Sequence, residues 1–162
     1  MELPEPIAKA LRPLFEALPL EQAMTQLVVV EPQPERLLKK AETAVSHRAI
    51  AQHPELIAGI WLYVDELDRS HRASQLAETN TGALWHGIMH RREGDFSNSH
   101  YWFNRAGDHP ALAAFNGYDP HAFIDQVEAV YRENSHELAA QQREEWCALF
   151  AWCARNLAQP TE

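Results

Sequence analysis

The residues of this sequence best suited to chemistry lie in two short groups. His86, His90 and Glu93 are spaced i, i+4 and i+7, which places three side chains on one side of an α-helix. Asp68 and His71, spaced i, i+3, precede them in the chain. Imidazole nitrogens together with a carboxylate are ligands that zinc, iron and manganese take in proteins. The spacing therefore predicts divalent metal chemistry, provided that the two groups meet.

Two neighbouring helices are predicted to carry these groups. The first covers residues ~53–77, and its apolar stripe turns polar at Asp68 and His71. The segment ETNTG then breaks the helix, and Thr81 or Asn80 can cap a second helix over ~82–92. A buried face that becomes polar partway along is unusual, because each unpaired buried polar group costs about 1–3 kcal/mol. The polar part of the stripe is therefore expected to meet partners.

If the two helices are antiparallel, the position of the loop predicts which residues are opposite one another. A loop centred near residue 79 pairs Asp68 with His90. The same register brings His71 opposite the turn that holds His86, and it brings Glu93 to the far end of the seam. The sequence thus predicts a polar seam between two helices into which all five side chains converge.

A third helix, over ~96–106, is predicted to fold back on the second. Asp95 is its expected N-cap, and the break EGD supplies the turn. This packing brings Asn98 near His90 and Trp102 near His86, which adds an amide and an aromatic ring to the seam.

The remaining periodicity is also helical. Further helices are predicted over ~5–18, ~34–45, a segment opened by Asp119 and Pro120, and ~137–157. No segment has the paired alternating runs of a sheet. The expected fold is an all-α compact bundle of about six to seven helices, forming a single domain over residues 1–162.

Composition excludes several classes of protein. A formal net charge of −9 disfavours nucleic acid as a partner, since backbone binding needs a basic face. No apolar run approaches the ~18 residues of a membrane span, and the first residues lack the basic start and apolar run of a signal peptide. Cys147 and Cys153 are not in a CxxC spacing, which indicates reduced thiols in a cytoplasmic protein.

The segment LWHGIMHRREGDFSNSHYWFNRAGDHP resembles one tetratricopeptide-type helical hairpin. That repeat has a small residue seven positions before a glycine at the turn, followed by Asp and an aromatic residue. The matching positions are Gly87, Gly94, Asp95, Phe96, Ser99, Phe103 and Ala106. Neither flank repeats the pattern, so one hairpin within a bundle is expected rather than a solenoid. The inner face of the first helix is apolar in the repeat, whereas here it holds His86 and His90.

A longer stretch is similar to a family of small uncharacterised proteins found in bacteria and fungi. The members carry WHGIMHRRE-(G/P)-D, followed by SN, YWF and HP, and this chain has all four marks between Trp85 and Pro110. The similarity extends back to DELDRSHRASQ. It implies no particular activity or substrate.

The first functional hypothesis is a divalent metal site. His71, His86 and His90 would be the nitrogen ligands, and Asp68 or Glu93 the carboxylate, for zinc, iron or manganese. A metal-bound water would serve as nucleophile, with the spare carboxylate as general base, so a metal-dependent hydrolase is the simplest enzyme of this kind. Gly87 occupies the position of the glutamate in HExxH, which excludes that class of metalloprotease.

The second hypothesis is a pocket for a small anionic ligand. The acidic chain has a locally basic middle, with arginines at positions 69, 72, 91, 92 and 105. Arg72 and Arg91 flank the histidines and are candidates for a carboxylate or phosphate clamp, with Asn98 and Trp102 completing the pocket. Two further alternatives stay open, namely a buried polar network without a ligand and a tetratricopeptide-like interaction module. Whether the protein is an enzyme, and its oligomeric state, are not decided by the sequence.

Overall fold

The computed structural model describes residues 1–113, 115, 117–133 and 135–157. Within those residues the chain is all-helical and has no strand, so the predicted fold class is confirmed. A short 3-10 turn, Leu20–Gln22, follows the first helix. The helices are α1 Glu5–Ala17, α2 Glu35–Val45, α3 Pro54–Tyr63, α4 Leu67–Leu76, α5 Asn80–Glu93, α6 Phe96–Ala106, α7 Pro110–Ala113, α8 Pro120–Val130 and α9 His136–Asn156.

The predicted long helix over ~53–77 is wrong, because the chain breaks between α3 and α4. Asp65 adopts a left-handed conformation with φ of 60°, which ends the first helix. Its buried carboxylate accepts hydrogen bonds from Arg92 at 2.5 Å and from the Gln33 amide at 2.6 Å. These contacts come from distant parts of the chain, and they offset the strain of a non-glycine residue at positive φ.

Helix α5 is surrounded by other elements along almost its whole length. Every residue from Thr81 to Arg92 is buried, and the helix packs against α3, α4 and α6. Thr79 caps it by accepting a hydrogen bond from the Gly82 amide at 3.0 Å. The predicted cap, Thr81 or Asn80, is wrong, because the helix begins at Asn80 and includes both residues. A helix buried on all sides is normally apolar. This one carries two histidines and two arginines into the interior, and each of these needs a partner.

The two arginines find their partners away from the histidine seam. Arg91 makes a bidentate pair with Glu145 of α9, at 3.0 and 2.6 Å, and its guanidinium lies 4.5 Å from the centre of the Phe123 ring. The hydroxyl of Tyr118 donates a short hydrogen bond to the same carboxylate. Arg91 was expected to clamp a ligand, and that expectation is wrong because its charge is neutralised inside the core. Arg92 is likewise buried and bonds to Asp65 and to the Leu62 carbonyl.

Helices α5 and α6 form an antiparallel hairpin about Gly94, whose φ is 86°. Asp95 caps α6 by accepting from the Asn98 amide at 3.1 Å, as predicted. The two helices approach closely at Gly87, whose carbonyl accepts a hydrogen bond from the Ser99 hydroxyl at 2.7 Å. The resemblance of this hairpin to a tetratricopeptide hairpin stays a prediction.

Membrane insertion was not expected. Among the residues that the structure describes, no helix is both long and apolar enough to cross a bilayer.

Replacing one partner of the buried Arg91–Glu145 pair should be more harmful than replacing both. Arg91→Met leaves a buried carboxylate with only Tyr118 as a donor, so we expect the free energy of unfolding to fall by about 3–5 kcal/mol. In Arg91→Met/Glu145→Gln the buried charge is gone and the amide oxygen still accepts from Tyr118. Urea denaturation should therefore give the double variant a higher stability than the single one.

The exposed pair Lys39–Glu35 supplies the control, because Lys39→Met removes a 2.9 Å ion pair that is open to solvent. That variant should denature close to the wild type. A double variant no more stable than Arg91→Met would contradict the assignment of a strongly coupled buried pair.

Gly87 should not tolerate a side chain. A Cβ at this position would lie 2.6 Å from a ring carbon of Phe103. Alanine normally favours a helix by about 1 kcal/mol over glycine, but here overpacking should reverse the sign and cost about 1–3 kcal/mol. We expect Gly87→Ala to lower the midpoint of thermal unfolding in the wild type and to be much less harmful in a Phe103→Leu background. An equal fall of the unfolding midpoint in both backgrounds would mean that the helices are not packed tightly between Gly87 and Phe103.

Candidate functional site

The three histidines predicted to share a site lie together in the structure. The ring of His71, from α4, lies edge-on to His86 and His90 of α5, with centroid separations of 5.0 and 5.5 Å. The centroids of His86 and His90 are 6.1 Å apart. Imidazoles that share one tetrahedral zinc ion hold their centroids about 5 Å apart. The two separations that involve His71 are close to this value, whereas the separation of His86 and His90 is longer.

One nitrogen of each α5 histidine is already engaged. His90 Nδ1 is hydrogen-bonded to Glu93 Oε1 at 2.7 Å, and the His86 ring is hydrogen-bonded to the backbone of Gly82, one turn earlier. The other nitrogen of His86, Nε2, is buried and has no hydrogen-bond partner among the described residues. In metal sites a carboxylate or carbonyl usually holds the distal nitrogen of a histidine ligand. His86 and His90 are both oriented in this way.

Burial keeps two of these histidines neutral. The pKa of His86 is lowered to about 4, chiefly by desolvation and in addition by the neighbouring His71, while the Gly82 hydrogen bond opposes the shift. Desolvation likewise lowers the pKa of His71, and His90 adds to the effect. A neutral imidazole has a lone pair for a metal or for a donor. At neutral pH neither His71 nor His86 must lose a proton before it binds an ion.

The two carboxylates expected in the seam take different positions. Glu93 is partly exposed, and its hydrogen bond to His90 occupies it. Asp68 is exposed; its charge acts on His71, but no hydrogen bond joins it to a histidine within the described residues. Neither carboxylate therefore lies free in the seam as a general base.

A second possible metal group overlaps the first. In the described part of the chain, the side chains whose ligand atoms all lie within 4.8 Å of one another are His90, Glu93 and Asp95. The three imidazoles do not form such a set, so a common ion would require their rings to turn toward it. Both carboxylate oxygens of Asp95, however, already accept hydrogen bonds from Asn98. One comes from the backbone N–H at 3.1 Å and the other from the side-chain Nδ2 at 2.9 Å.

Three further side chains were predicted to line the site, and one of them does. Trp102 stacks on His86 with ring centres 4.1 Å apart and planes 10° apart, as the short turn at Gly94 implies. Asn98 instead caps its own helix with Asp95. Arg72 is exposed and does not contribute to the pocket described below. Neither side chain therefore lies where the sequence predicts it, because the Asn98 side chain bonds to Asp95 and Arg72 lies outside the pocket.

A pocket of about 710 Å³ opens beside the histidines, between the end of α4, the start of α5 and the end of α6. His86 and Ala83 form its buried end, with His71 and Trp102 beside them. Its exposed rim is mostly polar. The rim residues are Gln75, Glu78, Thr79, Asn80 and Arg105.

This rim does not follow from the sequence pattern. Three of its five residues, Glu78, Thr79 and Asn80, belong to the segment ETNTG, which predicts only a helix break. Arg105 belongs to the basic middle of the chain, which does not by itself indicate a role for it. Its guanidinium lies 5.5 Å from the centre of the Trp102 ring. Spacing from Trp102 could have found it, because residues three apart on a helix are neighbours.

Two other histidine contacts were also missed. His109 is buried and hydrogen-bonded to the Thr81 hydroxyl at 3.0 Å, which ties the start of α7 to α5. His100 and His121 lie in one plane with their Nδ1 atoms 2.7 Å apart, and His100 Nε2 is 3.1 Å from Asp125. These contacts join helices outside the seam, and spacing alone gave no signal for them.

None of the protein-family models, curated proteins or solved structures compared with the chain matches it. The candidate site therefore rests on the residues and their geometry.

The neutral state of His86 should make the metal-free protein sensitive to acid. The unfolded chain protonates this histidine near its ordinary pKa of 6.5, whereas the folded chain does so only at about 4. Between these values the unfolded state binds more protons, so stability falls as the pH is lowered. We expect His86→Gln to weaken this pH dependence in chelator-treated protein, measured by urea denaturation from pH 7 to pH 4.

His136→Gln is the matched control, because this histidine is exposed at the start of α9. It should leave the slope of stability against pH as in the wild type. An unchanged slope in His86→Gln would contradict a neutral, desolvated His86.

Proposed function

We propose that this protein binds a divalent transition-metal ion through His71, His86 and His90, with zinc as the first ion to test. The observation that carries the proposal is the buried Nε2 of His86, which has no partner in the described chain and belongs to a ring that lies beside the rings of His71 and His90. A buried polar atom left without a partner costs about 1–3 kcal/mol. A metal ion would remove that cost and would use the lone pairs of the two neighbouring rings.

The surroundings favour this ion over a purely structural network. In a self-sufficient network each buried histidine nitrogen has a protein partner. Glu93 and the Gly82 backbone hold one nitrogen of His90 and of His86, respectively, and thereby direct the other nitrogen away from their own helix. We assign Glu93 a positioning role on His90, in place of the general-base role that its spacing suggested.

The tri-histidine set is also chemically preferable to His90, Glu93 and Asp95. A metal at the latter group would compete with both hydrogen bonds that Asp95 accepts from Asn98, one of which caps α6. Loss of such a cap typically costs about 1 kcal/mol. His86, which most needs a partner, would also stay unsatisfied.

Such a centre supports hydrolytic chemistry. Three protein nitrogens leave a fourth position for water, and zinc lowers the pKa of a bound water to about 7. His71 and His86 both line the pocket, so a small substrate would reach the ion from that side. We therefore propose a metal-dependent hydrolase acting on a small molecule.

Removal of any one imidazole should weaken zinc binding severely. We expect His71→Ala, His86→Ala and His90→Ala each to lower the affinity by more than the 10- to 100-fold typical of losing a second-sphere partner. Glu93→Gln should fall within about 10- to 100-fold, because it disturbs only the orientation of His90. Competition titration against a zinc indicator, with His-tag-free protein, measures all four variants.

Two controls separate this site from its alternatives. Asp95→Asn removes a possible ligand but can retain the helix cap, and it should leave the zinc affinity unchanged. The double variant His86→Ala/His90→Ala should lose little more than either single variant, because the residues act on one ion. A large loss in Asp95→Asn together with an unaffected His86→Ala would place the ion at His90, Glu93 and Asp95 and overturn the proposal.

A further inference from the structure

The pocket beside the histidines has two opposite charges on its rim. Glu78 lies just before the Thr79 cap of α5, and Arg105 lies in the last turn of α6. Both are exposed, and both line the same pocket. In the described structure neither has an ion pair or a side-chain hydrogen bond, and Arg105 has only its contact with the Trp102 ring. These are unpaired charges of opposite sign facing one cavity.

The other rim groups are neutral. Gln75 and Asn80 contribute carboxamides and Thr79 a hydroxyl, which donate and accept hydrogen bonds without adding charge. The backbone amides of Asn80 and Thr81 have no partner among the described residues, as expected in the first turn of a helix. A ligand that satisfies this rim needs one negative and one positive group with polar atoms between them.

Aromatic stacking does not supply the recognition. One face of Trp102 is covered by His86, and the guanidinium of Arg105 lies 5.5 Å from the ring centre. The ring therefore supports its neighbours and is not a free platform for a planar ligand. A simple anion is also disfavoured, because the carboxylate of Glu78 would repel it at the rim.

We propose that the pocket binds a small zwitterion of the dipeptide class, with its carboxylate on Arg105 and its ammonium on Glu78. Arginine binds a carboxylate in a bidentate manner, and a carboxylate accepts readily from an ammonium group. A volume of about 710 Å³ accommodates a ligand of this size. The proposal rests on the proposed function in one respect. The polar groups of the ligand, which lie between its own two charges, would face the ion held by His71 and His86.

The position of the charges agrees with this arrangement. His86 lies at the buried end of the pocket, whereas Glu78 and Arg105 lie at the exposed end. The rim can thus select the ligand by its charges, while the buried end contacts its middle. The proposed ligand is recognised through one positive and one negative group. The arginines alone would predict a ligand that is only anionic.

Three probes test the charge pattern. Glycylglycine carries both charges, N-acetylglycylglycine lacks the ammonium, and glycylglycinamide lacks the carboxylate. We expect zinc-loaded wild type, in isothermal titration calorimetry, to bind glycylglycine about tenfold more tightly than either analogue. Zinc content measured after each titration checks that the dipeptide has not removed the ion.

The variants assign each charge to its residue. Arg105→Gln should abolish the preference over glycylglycinamide, and Glu78→Gln should abolish the preference over N-acetylglycylglycine. Arg132→Gln is the matched control, because Arg132 is an exposed arginine over the ring of Tyr131, at 5.0 Å, away from the pocket. It should bind all three probes as the wild type does.

The outcomes separate this inference from the metal site. Equal binding of the three probes, or no binding of any, by protein that retains zinc would overturn the zwitterion proposal and leave the metal site standing. Failure of the wild type to take up zinc would overturn the metal site. In that case, glycylglycine selectivity in the metal-free protein, abolished by Arg105→Gln, would still support recognition by the rim.

Discussion

The burial of α5 is the constraint on which the rest of the structure depends. This helix is enclosed from Thr81 to Arg92 and yet carries two histidines and two arginines into the interior. Because an unpaired buried charge costs far more than an unpaired dipole, both arginines have carboxylate partners. Arg91 recruits Glu145 and thereby ties α9 to the centre, while Arg92 recruits Asp65 and thereby ends α3. Of the two histidines, His90 is bonded to Glu93, but the buried Nε2 of His86 is without a partner in the described chain.

The unpartnered nitrogen of His86 is the basis of the proposed metal site. The terminal nitrogens of both guanidinium groups have partners from α9 or from the α3–α4 break, although Nε of Arg91 and of Arg92 has no partner in the described chain. His86 Nε2 is also without a partner, and the His86 ring lies beside the rings of His71 and His90 at the buried end of an open pocket. Burial here lowers the pKa of His86 and of His71, so that both present lone pairs at neutral pH. Desolvation thus prepares the site for a cation without the need to remove protons first.

The local part of this arrangement could be predicted from the sequence. Helical spacing put His86 and His90 on one face, and short loops on either side of α5 brought His71 and Trp102 to that face. The long-range part could not. Asp65 looks like a helix-interior residue until its partner Arg92, 27 residues away, is known. Arg91 looks like a rim residue because it follows His90, and only a contact with Glu145, 54 residues later, places it in the core. Periodicity defines which face a residue occupies, but not which distant charge will meet it.

The central claim is that three imidazoles share one ion, and X-ray absorption at the zinc edge of the zinc-loaded protein tests it most directly. The account predicts three nitrogens at about 2.0–2.1 Å with the outer-sphere scattering of three imidazole rings, together with one oxygen. His86→Ala should reduce the imidazole count to two in whatever zinc is retained. A first sphere with a single imidazole and several carboxylate oxygens, unchanged in His86→Ala, would contradict the account and place the ion at the surface group formed by His90, Glu93 and Asp95.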